Sequence, residues 1–177
     1  MSNAEWIAAA LDRYEGPLVR YATGILNDLE RARDVVQDTF LRLCQEDPSR
    51  VDGYLAQWLF TVCRNRALDV RKKEIRMSFV DDAELMIRPS QTPRPFAALE
   101  HKETMNQVMR AVHTLPENQR EVVILKFQAD LSYKEISAVT GLSVTNVGFL
   151  LHTALKTVRQ RIEDESAPAA QSLRRVL

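Results

Sequence analysis

The residues best equipped for acid–base or nucleophilic work are few and scattered. His101, His113 and His152 are scattered without catalytic partners, and Cys44 and Cys63 form no CxxC. Bond chemistry needs paired acid–base groups or a nucleophile with its base, and a zinc site or disulfide framework needs clustered cysteines. An enzyme is therefore the least favoured reading, no cofactor or metal is expected, and both thiols are expected to pack as small hydrophobes. What the sequence does group is binding chemistry. Thr145, Phe149, His152, Lys156 and Arg159 advance by four, three, four and three residues and fall on one helix face. That helix begins Ser143-Val144-Thr145-Asn146, whose polar residues can reach base edges, while Lys156 and Arg159 can neutralise phosphates. Phe149 suits either a thymine methyl or a neighbouring helix, and His152 suits a phosphate or water contact.

The elements that must hold this face are also legible. Val147, Leu151, Ala154, Val158 and Ile162 form the opposite, apolar stripe, which can pack on Ile136, Val139 and Leu142. Ser132-Tyr133-Lys134-Glu135 is a capping box that opens a helix of about two turns, closed at Thr140-Gly141. Ser143 then caps a longer helix to about Ile162. A short capped helix, a glycine turn and a longer helix form the layout of a DNA-binding helix-turn-helix. Upstream, a helix from about Phe96 to His113 precedes Thr114-Leu115-Pro116-Glu117, a second capping-box spacing with proline in the first turn of the next helix.

Nearer the N-terminus, from Glu5 to about Lys73, apolar residues recur at helical spacing; Gly16-Pro17 is expected to interrupt the first helix and Asp28 to cap the second. Leu29, Ala32, Val36, Phe40 and Leu43 make a buried stripe and leave Asp34, Asp38, Leu41 and Gln45 on an exposed face. An acidic face with an exposed leucine suits a basic protein partner. The helix from Tyr54 to Lys73 carries Trp58 and Phe60, then turns basic with Arg64, Arg66, Arg71, Lys72, Lys73 and, just beyond, Arg76. Aromatic residues beside cations suit opened or single-stranded DNA; a core tryptophan followed by a solvated, dipole-favoured basic helix end is the other reading.

Composition agrees with a helical, foldable chain. Of 177 residues, 45% are hydrophobic and 27% charged, with five glycines, which favours an all-α protein; the pattern along the chain divides it into two small helical domains. The expected divisions are 5–77, an acidic and proline-containing linker at 78–95, a helix-turn-helix domain at 96–163, and a frayed tail at 164–177. Net charge is zero, so the overall balance gives no support to nucleic-acid binding, which must rest on where the basic residues sit. With no apolar run of about 18 residues and no basic-then-apolar N-terminus, the expected place is the cytoplasm, without a membrane span.

The order of segments resembles the group IV, or extracytoplasmic-function (ECF), sigma factors of bacterial RNA polymerase, over about residues 9–162. The resemblance lies in Asp34-Val35-Val36-Gln37-Asp38-Thr39-Phe40-Leu41-Arg42, in Trp58-Leu59-Phe60-Thr61-Val62-Cys63-Arg64-Asn65-Arg66-Ala67-Leu68-Asp69, in Leu115-Pro116-Glu117-Asn118-Gln119-Arg120-Glu121-Val122, and in Leu131-Ser132-Tyr133-Lys134-Glu135-Ile136. It implies a sigma2 domain, a linker and a sigma4 domain. By position, Asp34, Gln37, Asp38, Leu41 and Arg42 would grip the β′ clamp helices of core RNA polymerase, and the sigma4 domain would meet the β flap. Tyr54, Trp58, Arg64, Asn65, Arg66, Arg71 and Lys72 would bind the minus-10 element, and the helix from Val144 the minus-35 element. The linker acids Asp81, Asp82 and Glu84 would thread toward the active centre, and an anti-sigma factor is an expected partner. Gly148, Phe149 and Leu150 depart from the basic or polar residues of many relatives, which implies a weaker electrostatic grip or a more apolar reading. Two rivals remain at this level: a LuxR-like dimeric regulator, which leaves the N-terminal motifs unexplained, and a helical adaptor that binds only protein.

Overall fold

A computed structural model describes the backbone of residues 2–80 and 101–174, with side chains at 2–77 and 107–165. The linker residues Asp81, Asp82, Glu84, Pro89, Pro93 and Pro95, and the expected helix start at Phe96, lie outside the described residues. The described residues contain helices and no strand, in the order α1 (Asn3–Leu26), α2 (Leu29–Leu43), α3 (Pro48–Val51), a 3-10 turn (Asp52–Tyr54), α4 (Leu55–Val80), α5 (His101–His113), α6 (Glu117–Phe127), α7 (Tyr133–Thr140) and α8 (Val144–Arg174).

Local chemistry sets most of these boundaries. Ser2 and Glu5 form a capping box at the start of α1, and Asn27 ends it in the left-handed region at φ 54°. Asp28 caps α2 by accepting from the Arg31 amide at 3.1 Å. Two expectations yield to tertiary forces. Gly16-Pro17 does not interrupt α1, which runs continuously through Pro17. A proline inside a helix costs about 3 kcal/mol, and burial of Leu18, Tyr21 and Ala22 immediately beyond it outweighs that loss, since most helical stability in proteins comes from packing. The capping box at Thr114 and Glu117 does not form. Pro116 takes the cap position, the Thr114 hydroxyl donates to the Ala111 carbonyl at 2.6 Å, and the Glu117 carboxylate is drawn to Arg71.

In the first half α1, α2 and α4 pack on one another around Tyr21, Leu43, Leu59 and Phe60, all essentially buried. Tyr21 and Phe60 meet edge to face with ring centroids 5.3 Å apart. Cys63 is buried beside them, as expected, whereas Cys44 is exposed at the end of α2, because the helix stops there and the chain turns outward. In the second half α6, α7 and α8 enclose Val122, Leu125, Ile136, Val147, Leu151 and Ala154. α8 continues to Arg174, past the expected end near Ile162; Glu163, Glu165, Ala167, Ala169 and Ala170 supply helix propensity where a frayed tail was expected. The two halves also touch, through α4 and α7, which nothing in the sequence indicated.

Candidate nucleic-acid interface

The helix-turn-helix is built as its sequence requires. Ser132 accepts from the Glu135 amide and the Glu135 carboxylate accepts from the Ser132 amide at 2.7 Å, closing the capping box of α7. Gly141 ends α7 at φ 77°, a backbone that costs other L-residues about 1–2 kcal/mol, and Ser143 accepts from the Asn146 amide at 3.2 Å to start α8. The two helices meet at 103°, within the range of DNA-reading helix pairs. The stripe of Val147, Leu151, Ala154 and Val158 is buried with Ile136 and Val139, and Ser143, Val144, Thr145, Asn146, Phe149, His152, Lys156 and Arg159 are all exposed.

Details of that face differ from its sequence reading. Phe149 is 66% exposed, so among the described residues no neighbouring helix covers it. Leu150 is buried and takes no part in the face. A Cβ on Gly148 would lie 3.5 Å from the Tyr133 ring, so the glycine permits close approach of another helix. Tyr133, half exposed beside it, belongs to this surface and was missed because it precedes the recognition helix and carries no charge.

The residues assigned by resemblance to the minus-10 element do not share one face. Trp58, Asn65 and Lys72 recur every seven residues on one side of α4; Asn65 and Lys72 are exposed and Trp58 is partly buried against the core. Arg66 turns toward α2, where its Nε donates to Asp38 at 3.0 Å and its Nη2 lies 2.9 Å from the same carboxylate oxygen in an ion pair. Asp38, assigned to polymerase, and Arg66, assigned to DNA, are thus partners in this conformation. Arg64 and Arg71 turn the other way, toward the second half. Arg64 Nε donates to Glu121 at 2.7 Å and its Nη2 at 3.3 Å, and the Tyr21 hydroxyl donates to the same carboxylate at 2.7 Å. This cluster is largely shielded from water: the hydrogen bond to Glu121 holds the Arg64 guanidinium charge above its ordinary range, and burial, with Glu121 next, pushes the Tyr21 hydroxyl well up. Arg71 pairs with Glu117 nearer the surface, and Arg20 Nε donates to Gln128 at 3.2 Å. The part of the neutral charge balance that falls on the third motif therefore answers the arginines of the second.

Loop geometry places Tyr54 at the end of the 3-10 turn, 44% exposed. Asp52, which opens that turn, accepts from Trp6 Nε1 at 3.0 Å, and Trp6 is buried. On α2, Asp34, Gln37, Leu41 and Arg42 are exposed, with Leu41 at 56%, so the acidic face with its unburied leucine exists as a surface. Among the described residues no group of histidine, cysteine and carboxylate side chains is arranged to hold a metal ion, and no single helix is long and apolar enough to cross a membrane.

The sigma-70 region 2 family model matches residues 10–76, and the sigma-70 region 4 model matches residues 105–158. The ECF RNA polymerase sigma factor RpoE of Cereibacter sphaeroides is 30% identical over 133 residues, 75% of this chain and 71% of the relative. The ECF RNA polymerase sigma factor SigM of Bacillus subtilis is 30% identical over 85% of this chain and 88% of its own. The chain belongs to the ECF sigma factors. It directs bacterial RNA polymerase core to promoter DNA for transcription initiation, in a family of regulatory DNA-binding proteins. Among solved structures, the sigma factor RpoE in complex with the anti-sigma factor NepR from Bartonella quintana superposes with a TM-score of 0.64 at 20% identity, over 88% of this chain and 96% of that one. CnrH in complex with the cytosolic domain of CnrY gives 0.57 at 22%, over 89% and 88%. At those identities the two structures establish the shared helical fold.

Proposed function

We propose that this sigma factor divides promoter recognition between its two ends and performs no bond chemistry itself. The observation that carries the reading is the pair of separate exposed surfaces: the recognition face of α8 with Lys156 and Arg159, and the acidic, leucine-bearing face of α2. Residues 5–77 act as the sigma2-like unit, in which Asp34, Gln37, Asp38, Leu41 and Arg42 grip the β′ clamp helices while Tyr54, Trp58, Asn65 and Lys72 meet the minus-10 element and help to open it. Residues 96–163 act as the sigma4-like unit, which meets the β flap and places α8 in the major groove at minus 35. The acidic linker between them threads the polymerase, and the work is done in the cytoplasm. Arg64, Arg66 and Arg71 contribute to the opened strand only after exchanging Glu121, Asp38 and Glu117 for phosphates, so the halves separate when core binds. One solved neighbour is a sigma factor in complex with an anti-sigma factor, and the other, CnrH, is in complex with the cytosolic domain of CnrY, which supports an anti-sigma partner here.

Run-off transcription on genomic fragments of the source organism, with core polymerase plus and minus this protein, tests the reading. New discrete transcripts are expected, lost when Lys156 and Arg159 are both changed to Glu. Absence of transcripts, together with no co-migration with core polymerase, would refute it and favour a stand-alone regulator. Holoenzyme binding should weaken steeply with salt as phosphate contacts release counterions.

A further inference from the structure

The recognition face of α8 is uncharged at the end that enters the groove, where Val144 and Phe149 are exposed beside Thr145 and Asn146, and cationic at the other. Val144 and Phe149 are 43% and 66% exposed, and Gly148 between them lies under the Tyr133 ring, while Leu150 is buried. The first two turns hold no arginine or lysine; the first cation on this face, Lys156, is eleven residues beyond Thr145, about 16 Å along the axis at 1.5 Å per residue. Guanine is read chiefly by a bidentate arginine or lysine, adenine by asparagine or glutamine, and thymine by apolar contact with its C5-methyl group. The inserted end offers Asn146 for adenine and Phe149 with Val144 for methyl groups, and Lys156 and Arg159 lie far enough back to reach phosphates instead. A phenylalanine ring held mostly in water at this point has a ready occupant in the major groove, because a thymine methyl is the one apolar group on a base edge there.

We propose that Phe149 is the specificity-determining residue of α8 and selects A·T pairs in the minus-35 element through thymine C5-methyl groups. The proposal rests on the minus-35 role of α8 given above. Its test uses holoenzyme reconstituted from core polymerase and the full chain, on a promoter mapped by its start site, with thymines of the minus-35 element replaced by 2′-deoxyuridine, which lacks only the methyl. Binding and transcription should fall about fourfold per contacted methyl, the equivalent of losing burial of one methyl-sized group. Phe149→Ala should bind the thymine promoter more weakly and show no further loss on uridine, while Phe149→Leu should keep part of the sensitivity. Equal activity of the parent protein on thymine and uridine promoters, or an unchanged uridine penalty in Phe149→Ala, would overturn the proposal while leaving the sigma-factor reading intact. Failure to transcribe the thymine promoter at all would instead remove the reading on which it rests, and the proposal with it.

Discussion

Replacing Glu121 with alanine should loosen the contact between the two halves of the chain. The carboxylate receives two donors from Arg64, at 2.7 and 3.3 Å, and one from Tyr21 at 2.7 Å. The Arg64 and Glu121 side chains are only 21% and 15% exposed, so solvent screens them little. Removing one partner of a fully buried pair costs about 3–5 kcal/mol; residual exposure and water entering the vacated space reduce this to about 2 kcal/mol, a roughly 30-fold shift at 1.36 kcal/mol per decade. If the open arrangement starts at about 1% of molecules, the variant should hold it in about a quarter. Energy transfer between dyes on the exposed Cys44 and on an introduced Gln160→Cys would read the separation, since Cys63 is buried and should not label. Glu121→Ala and Arg64→Ala should each lower transfer, and the double variant should do no more than either single one. The outer pair, Arg71 with Glu117, is 37% and 66% exposed, and after screening should contribute under about 1 kcal/mol. Unchanged transfer in Glu121→Ala, or additive effects in the double variant, would refute the claim that this cluster holds the halves together.

Asp38→Arg should abolish co-migration with core polymerase. Because Asp38 and Arg66 are each more than a third exposed, screening limits the loss of stability to about 1 kcal/mol or less, which circular dichroism melting can check. Gly141→Ala should destabilise the helix-turn-helix by about 1–2 kcal/mol, since alanine must adopt φ 77° there, and thermal denaturation with minus-35 binding should fall together. Burial pushes the Cys63 thiol up to about 12, against about 8.5 for an ordinary cysteine. Between those values the unfolded chain releases a proton that the folded chain keeps, so folding stability should fall as pH rises, by up to about 1.4 kcal/mol per pH unit from this group. Denaturant unfolding between about pH 8.5 and 10, below the ordinary tyrosine range, should show a shallower decline in Cys63→Ala than in the parent; equal slopes would exclude the assignment.

Sequence alone determined the features whose causes are local. The capping box at Ser132 and Glu135, the glycine at 141 and the opposed stripes of α8 are relations within a few residues, and the backbone follows them directly. The order of four motifs likewise marked the family, because each motif is contiguous. Tertiary structure decided what each charged or apolar side chain meets. Arg64 finds Glu121 at a separation of 57 residues and Arg71 finds Glu117 at 46, distances along the chain over which no spacing rule operates. The same long-range packing carried α1 through Pro17, left the Thr114 box unmade and buried Leu150. Helical periodicity states which residues share a face; only the packed neighbours decide whether that face meets water, another helix or DNA.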